Sequence, residues 1–278
     1  MSAPSSTTYY DSEQSRRPLV SEAIHFWEYR ELIKLLVVRD LTVRYKRSVL
    51  GMWWTLLNPL LTTAIMWLIF SQLFRFPIPG VPYVVYLLSG VLLVTYFAQG
   101  VAATGAAIVN SSSVLSKVYV PPEVFSLAAA TAATVNLFVG MIPLLVVIVV
   151  TGVGVPWTVV LTPIPALAML ALITGIGLLV ASLAVFFYDV LDLTNVFIQL
   201  IAYLTPSFYP LDIVPDQYKI FIKLNPLYHY LLVFRYFVHG GEVPAWFSYV
   251  VMGGTSLTVL AAGVWLFSRS WQRLVVLL

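Results

Sequence analysis

The stretch that decides the fold is VFSLAAATAATVNLFVGMIPLLVVIVV, residues 124–150, which contains no charged residue. A membrane-crossing helix needs about 20 mostly apolar residues, so this stretch is long enough to span a bilayer. The charge-free run continues to Tyr188, which leaves room for a second crossing. Apolar and polar residues do not alternate between Met141 and Val150, which excludes a transmembrane β-strand. The pattern predicts an all-α integral membrane protein.

The composition of the whole chain supports the same class. Of 278 residues, 60% are hydrophobic and 10% are charged, whereas soluble domains carry about 25% charged residues. No separate soluble domain is therefore expected. The chain has no cysteine, which excludes disulfides, a thiol nucleophile and a cysteine-ligated metal.

Six apolar blocks account for most of the chain. They are predicted to be transmembrane helices, because backbone groups in lipid must satisfy their own hydrogen bonds. The blocks cover approximately residues 52–74, 81–109, 124–150, 157–188, 193–209 and 246–267, within a transmembrane domain at 48–278. Residues 1–21 are polar and are predicted to form a disordered cytoplasmic tail.

The distribution of Lys and Arg predicts the orientation in the membrane. If six helices cross, eleven of these residues fall on the side of both termini and four fall on the other side. Cytoplasmic loops carry the excess of basic residues, so both termini are predicted to be cytoplasmic. A multi-pass protein of the cytoplasmic (inner) membrane is expected.

Two regions outside the six blocks have their own patterns. Residues 22–47 place apolar side chains on one helical face, which predicts an amphipathic helix in the membrane interface; a charged lead-in to the first crossing is the alternative. That face comprises Phe26, Tyr29, Ile33, Leu36 and Val37. Asp40 interrupts the same face, which predicts a bend.

Residues 210–241 combine apolar and aromatic side chains with Lys219, Lys223 and Arg235. The Asn225-Pro226 pair predicts a helix break in the middle of this region. Two short helices that re-enter the outer leaflet are predicted, and a folded external loop is the alternative.

The chain lacks the motifs of an energy-converting enzyme. It has no phosphate-binding G-x-x-x-x-G-K-[ST] sequence, and no charged residue lies in the middle of a predicted span. Ion-coupled carriers usually need such intramembrane charges, so another subunit is expected to supply the energy. Asp189 and Asp192 form the one acidic pair. They would either bind a metal-diphosphate or lie at a helix N-terminus, where negative charge is favourable.

Uncharged polar residues and aromatic residues are the remaining candidates for chemistry. Amides in the predicted spans either bond neighbouring helices or line a wet path for a hydroxyl-rich cargo. They are Asn58, Gln99, Asn136, Asn195 and Gln199. Aromatic rings either anchor the protein at the membrane interface or stack on sugar rings. The anchor interpretation is the default for Trp53 and Trp54, and the candidates for stacking are Phe197, Tyr203, Phe208 and Tyr209.

Several stretches resemble one family when taken together. They are RYKRSVLGMWW (44–54) with LNPL (57–60), the loop at 110–123, TPSFYP (205–210), Asn225-Pro226-Leu227 and Arg235. In order and spacing they resemble the permeases of ABC type-2 polysaccharide exporters, which include the O-antigen, teichoic acid and galactan exporters. Tyr188 stands where the family often has arginine, and Thr205-Pro206-Ser207 replaces a common Ser-Pro-Val.

The resemblance implies a fold and a division of labour. Two permease copies would form a channel, each with six transmembrane helices, an interfacial N-terminal helix and short re-entrant gate helices between helices 5 and 6. Two ATPase subunits would bind from the cytoplasm and hold ATP and Mg, with no cofactor in this chain. The cargo would be a lipid-linked polysaccharide, with galactan the closest match. The expected partners are thus the ATPase, a second copy, the glycan and membrane lipid, and nucleic acid is not among them.

The resemblance also assigns residues to these roles. The ATPase-coupling residues would be Lys117, Val118, Pro121 and Glu123 of the coupling loop, together with Arg44 and Arg47. The substrate path would include Trp53, Trp54, Asn58, Phe197, Tyr203, Phe208 and Tyr209. Three alternatives stay open: an exporter of drugs or small lipids, a membrane enzyme that acts on polyprenyl-phosphate sugars through Asp189 and Asp192, and a passive channel.

Overall fold

The computed structural model describes residues 29–46, 48–51, 53–71, 80–115, 117 and 120–274. These residues form α-helices and two short 3₁₀ turns, without a strand. The helices are α1 (Arg30–Tyr45), α2 (Trp53–Ile69), α3 (Tyr83–Asn110), α4 (Ser112–Leu115), α5 (Glu123–Val150), α6 (Pro163–Ala184), α7 (Asp189–Leu204), α8 (Asp216–Leu224), α9 (Pro226–His239) and α10 (Trp246–Leu274). The 3₁₀ turns are Trp157–Leu161 and Leu211–Ile213.

Four helical stretches of the described residues are long and apolar enough to cross a membrane. They are Tyr83–Leu115, Glu123–Val150, Trp157–Ala184 and Trp246–Ser270. The helix α2 is apolar but shorter, at 17 residues, and α7 has 16 residues. At 1.5 Å per residue these two helices are about 25 Å long, slightly less than a typical hydrocarbon core.

Proline and threonine residues set the ends of two helices where the apolar blocks continue. The block at 157–188 divides at Thr162, where a 3₁₀ turn gives way to α6, and Pro163 occupies the first position of that helix. The block at 193–209 is helical only to Leu204, and its helix begins earlier, at Asp189. Pro206 follows two residues later, and the residue before a proline is disfavoured in a helix.

Backbone contact between α6 and α10 fixes the centre of the bundle. A Cβ atom on Gly175 would lie 2.6 Å from the backbone of Val259 and Leu260, and one on Gly263 would collide with the Gly175 carbonyl. Gly177 meets Thr104 of α3 at similarly close range. Small residues let membrane helices approach closely, and these glycines bring α6 against both α10 and α3.

The first described helix lies against α5. Leu36 and Val37 of α1 are buried with Val124, Phe125 and Ala128 of α5. The helix α1 is continuous from Arg30 to Tyr45, so the carboxylate of Asp40 does not break it. Arg39 reaches back to Asp40 at 2.9 Å, which gives this carboxylate a partner on the surface of the helix.

Candidate functional site

Three of the predicted coupling residues, Lys117, Pro121 and Glu123, lie close together in the chain at one end of the bundle, called here the Lys117 end. Lys117 is exposed in a turn after α4, and its N–H donates to the Val114 carbonyl at 3.0 Å. Pro121 is half-buried, and Glu123 is the first residue of α5. Arg44 lies in the last turn of α1, but its side chain, with Arg47 and Val118, falls outside the described residues.

The same end joins the coupling turn to α1. Leu115 and Val120, on either side of Lys117, pack against the apolar cluster that α1 forms with the start of α5. Leu115 also packs on a second cluster, which contains Leu178 of α6 and Phe267 of α10. The Lys117 turn is therefore linked by apolar contacts to α1, α6 and α10, so a movement of the turn would displace the ends of these helices.

Two different stripes run side by side along the exposed part of α7. The polar stripe has residues three and four positions apart, which places them on one helical face. Its members are Asp192, Asn195, Gln199 and Tyr203, all of them exposed. The apolar stripe consists of Leu193, Phe197, Leu200 and Leu204, which are also exposed.

The acidic pair belongs to the first turn of this same helix. Asp189 and Asp192 are both exposed there. Negative charge is favourable at a helix N-terminus, which accounts for both carboxylates without a bound ion. Among the described residues, no group of three or more His, Asp or Glu side chains is arranged to hold a metal.

A cavity of about 240 Å³ separates α2 from α3 and α5, and is called here the α2 cavity. Its polar and aromatic lining consists of Trp54, Thr55, Asn58, Thr95, Tyr96, Gln99 and Asn136. The Tyr96 hydroxyl shares a hydrogen bond with Thr134 at 2.7 Å and donates to the Ala166 carbonyl at 3.1 Å. The amide nitrogen of Asn136 is buried and has no hydrogen-bond partner in the part of the chain that the structure describes.

At the opposite end of the bundle, Arg235 of α9 is buried, with 7% of its surface exposed. Its guanidinium lies 3.6 Å from the centre of the Tyr86 ring. It donates to the carbonyls of Pro206 at 3.1 Å, Ser207 at 3.2 Å and Tyr86 at 3.0 Å. No carboxylate bonds it among the described residues, so carbonyl dipoles and an aromatic face compensate its charge.

Two tyrosines of α3 complete a structure that we call the carbonyl clamp. The Tyr86 hydroxyl donates to the carbonyls of Pro206 and Tyr209, and the Tyr83 hydroxyl donates to that of Phe208 at 2.6 Å. Together with Arg235, these side chains bind four consecutive carbonyls, at residues 206–209. Carbonyls of irregular backbone that are buried away from water need such donors.

Gly90 and Asn225 fix the surroundings of the clamp. A Cβ atom on Gly90 would lie 2.8 Å from the Arg235 guanidinium, so only glycine leaves room for it. Asn225 separates α8 from α9 and accepts a hydrogen bond from the Leu227 N–H at 3.0 Å, as an N-cap does. Its amide also donates to Thr205 at 2.9 Å, which ties the end of α7 to the start of α9.

Charges outside the spanning helices have shifted pKa values in this region. Burial, reinforced by the positive charge of Arg235, lowers the pKa of His239 to about 4. The imidazole is therefore neutral at neutral pH. On the surface of α8, a hydrogen bond from Lys219 lowers the pKa of the Asp216 carboxyl.

The structure sorts the residues predicted for the substrate path into four places. Trp54 and Asn58 line the α2 cavity, whereas Trp53 is exposed on α2 and does not line it. Phe197 and Tyr203 lie on the stripes of α7. The carbonyls of Phe208 and Tyr209 are held in the clamp.

Sequence reasoning missed the roles of Tyr83, Tyr86 and Tyr96. A signal was present for the first two, because a lone arginine in an apolar region needs acceptors or an aromatic face. Tyrosines three positions apart at the start of a helix are suitable partners. No such signal marks Tyr96, since its partners come from α5 and α6.

Comparison with known proteins gives a family for this arrangement. A family model described as ABC-2 type transporter matches residues 31–238. The chain is 28% identical over 254 residues to the O-antigen export system permease protein RfbA of Klebsiella pneumoniae, covering 89% of this chain and 95% of that protein. It is also 28% identical over 244 residues to the protein of the same name from Myxococcus xanthus, covering 87% and 93%.

Proposed function

Because the chain belongs to the ABC-2 type transporter family, we propose that it is the membrane subunit of an ATP-driven exporter that moves polysaccharide across the cytoplasmic membrane. The relatives named as O-antigen export permeases support a polysaccharide cargo. Permeases of this family generally pair with an ATPase subunit. The apolar helices support a multi-pass membrane protein.

The observation that carries this proposal is the polar stripe of α7. Asn195 and Gln199 lie in the middle of a 16-residue helix and are exposed on the surface of a single copy. Polar side chains at membrane depth face a bundle interior or a water-filled passage rather than lipid. We assign this stripe to the wall of the export path, where amide and hydroxyl groups meet the hydroxyls of a glycan.

The second stripe of α7 gives a reason for two copies. Phe197 and Leu200 lie beside the polar stripe and are exposed in one copy. When two copies face each other, the apolar stripes seal the passage against lipid and the polar stripes line it. The full channel is therefore a homodimer in this proposal.

The remaining crossings and the orientation complete the topology. We add α2 and α7 to the four long helices as the fifth and sixth crossings, each with a slight mismatch to the bilayer. The Lys117 end faces the cytoplasm, where α1 lies at the interface and the ATPase contacts the exposed Lys117 turn. The helices α8 and α9 re-enter the outer leaflet and gate the exit of the path. The cargo is a lipid-linked glycan, and galactan is the specific proposal.

The first experiment tests export. Cells depleted of this chain should accumulate lipid-linked glycan on the cytoplasmic side, and the wild-type gene should restore export. A double variant, Asn195→Leu with Gln199→Leu, should not restore it, because the path loses its polar wall. The control is Thr258→Leu, which removes an exposed hydroxyl from α10, away from the proposed path. Normal export by the double variant would refute the assignment of the path.

The second experiment tests the division of labour and the orientation. The purified chain alone should not hydrolyse ATP, and its complex with the partner ATPase should. Since the chain has no cysteine, single substitutions can report the sides of the membrane. A membrane-impermeant maleimide applied from outside should label Glu242→Cys and not Val114→Cys. Hydrolysis by the isolated chain, or the opposite labelling, would overturn this part of the proposal.

A further inference from the structure

Polar side chains line the α2 cavity at membrane depth, and one of their hydrogen-bond donors has no partner among the described residues. Amides in spanning helices are normally bonded to a neighbouring helix. Here Asn136 of α5 lines the cavity, and its buried amide nitrogen has no hydrogen-bond partner among the described residues. A buried donor without a partner costs about 1–3 kcal/mol. A rotation of the Asn136 side chain would bring this donor to a ligand in the cavity that supplies the missing acceptor.

The lining restricts the chemistry of that ligand. Asn58, Gln99 and Asn136 contribute amides from α2, α3 and α5, and the first two are exposed in a single copy. No charged side chain lines the cavity within the described part of the chain. A phosphate or an ammonium group would enter without a counter-charge, which is costly in a low-dielectric site. An acyl chain would offer the Asn136 donor no acceptor, which is also unfavourable. The groups that fit carry hydroxyls without charge.

The aromatic residues and the volume narrow the choice further. Trp54 and Tyr96 add flat apolar faces beside the amides, and a sugar ring has both apolar faces and hydroxyl edges. The cavity of about 240 Å³ is smaller than most ligand pockets, which start at roughly 300 Å³. It suits one ring, and it is too small for a stretch of polymer.

We propose that the α2 cavity binds a single uncharged sugar ring, the membrane-proximal part of a lipid-linked glycan, separately from the path along α7. The proposal rests on the proposed function for the origin of the sugar. A binding site of this kind in one copy would hold the membrane-proximal end of the cargo while the remainder moves along the α7 stripe.

The test uses the isolated full-length chain in nanodiscs and three photoactivatable probes. Each probe has a decyl chain with a diazirine, and the headgroups are galactose, glycerol and phosphate. After irradiation, mass spectrometry identifies the labelled peptides. The galactose probe should label peptides of α2, α3 and α5 around Trp54, Leu92 and Leu137, and excess octyl galactoside should compete.

Variants then connect the labelling to the amide that lacks a partner. Asn136→Leu keeps the approximate volume and removes the donor, and labelling by the galactose probe should fall about tenfold, equivalent to 1.4 kcal/mol of binding. Val135→Leu, the exposed neighbour on the same turn of α5, should label like the wild type. If Asn136→Leu does not elute as a folded protein, Thr95→Val removes another polar group of the lining with little change in shape.

Each outcome decides the proposal. Labelling that is absent from these helices, or unchanged in both Asn136→Leu and Thr95→Val, means that the cavity holds water only and overturns it. Equal labelling by the glycerol probe assigns the cavity to membrane lipid, and equal labelling by the phosphate probe contradicts the argument from charge. The proposed function fails by a different result, export that persists in depleted cells, so the two failures are distinguishable.

Discussion

Replacement of Arg235 by methionine should release the chain between α7 and α8 from α3. Methionine fills a similar volume but supplies no donor, so the clamp keeps only the two tyrosine hydroxyls. The Ser207 carbonyl then loses the guanidinium that binds it at 3.2 Å. The Pro206 carbonyl retains the Tyr86 hydroxyl, at 3.1 Å.

The magnitude follows from these contacts. A buried carbonyl left without a donor costs about 1–3 kcal/mol. The stacking of the guanidinium on Tyr86, at 3.6 Å, contributes about 1–2 kcal/mol more in a desolvated site. Removal of a buried charge returns part of this free energy, because the charge no longer has to be desolvated. The net loss of stability is therefore about 2–4 kcal/mol, which lowers the melting temperature by roughly 4–16 °C.

Two assays measure this effect, with Arg269→Met as the matched control. Arg269 is exposed near Trp265, so its replacement should change stability by less than about 0.5 kcal/mol. Thermal unfolding of the purified protein gives the global effect. A local assay uses Ser207→Cys, since the Ser207 side chain is fully buried and the chain has no other cysteine. Maleimide should modify this thiol at least about tenfold faster when Arg235→Met is also present.

Arg235→Lys separates charge from geometry. Lysine keeps the charge but lacks the planar fork, so it cannot bind two carbonyls while stacking on Tyr86. Its stability should lie between those of the wild type and Arg235→Met. The reasoning is refuted if Arg235→Met melts at the same temperature as Arg269→Met and the cysteine at position 207 stays protected.

Three further predictions concern other parts of the molecule. Gly175→Ala should destabilise the protein by about 1–3 kcal/mol in thermal unfolding, because its Cβ meets the backbone of α10 2.6 Å away, whereas Gly254→Ala, with nothing within 4 Å, should be neutral; equal effects would contradict the packing described. The pKa of His239 falls from 6.5 in the unfolded chain to about 4 in the folded protein, so the free energy of unfolding should decrease by up to about 3 kcal/mol as the pH drops from 6.5 to 4. The variant His239→Gln should show a flatter pH profile of stability, and a parallel profile would refute the role of His239. Leu115→Ala should weaken stimulation of the partner ATPase by cargo without preventing assembly, whereas the exposed Val114→Ala should not; identical ATPase assays for the two would exclude the bridging role of Leu115.

Much of the fold could be predicted from the sequence because lipid imposes strong constraints. The charge-free run from Val124 to Tyr188 allows little except helices, and the structure places α5 and α6 there. The bend predicted at Asp40 stays a prediction, because the continuity of α1 excludes a break and does not measure a bend. Periodicity places Asp40 on the apolar face, and the adjacent Arg39 of the same helix gives its carboxylate a partner at 2.9 Å.

The candidate site was less predictable, for a related reason. Asn58, Gln99 and Asn136 could be recognised as polar residues in spans, but their convergence on one cavity depends on how α2, α3 and α5 pack. Asn195 and Gln199 also carry amides within a predicted span, but they lie along the exposed face of α7. A single sequence does not show how each helix is rotated about its own axis relative to its neighbours. It therefore could not separate the amides of the cavity from those of α7.

The close approach of α6 and α10 at Gly175 and Gly263 restricts where this molecule can change shape. Helices whose backbones touch cannot slide or rotate past each other without a steric collision, so this pair moves as one rigid unit. Conformational changes then have to involve helices with fewer packing constraints. These include α2, which borders the α2 cavity, and α7, which has one face exposed. Crosslinks between α6 and α10 should leave transport unchanged, whereas a crosslink between α2 and α3 should stop the transport cycle.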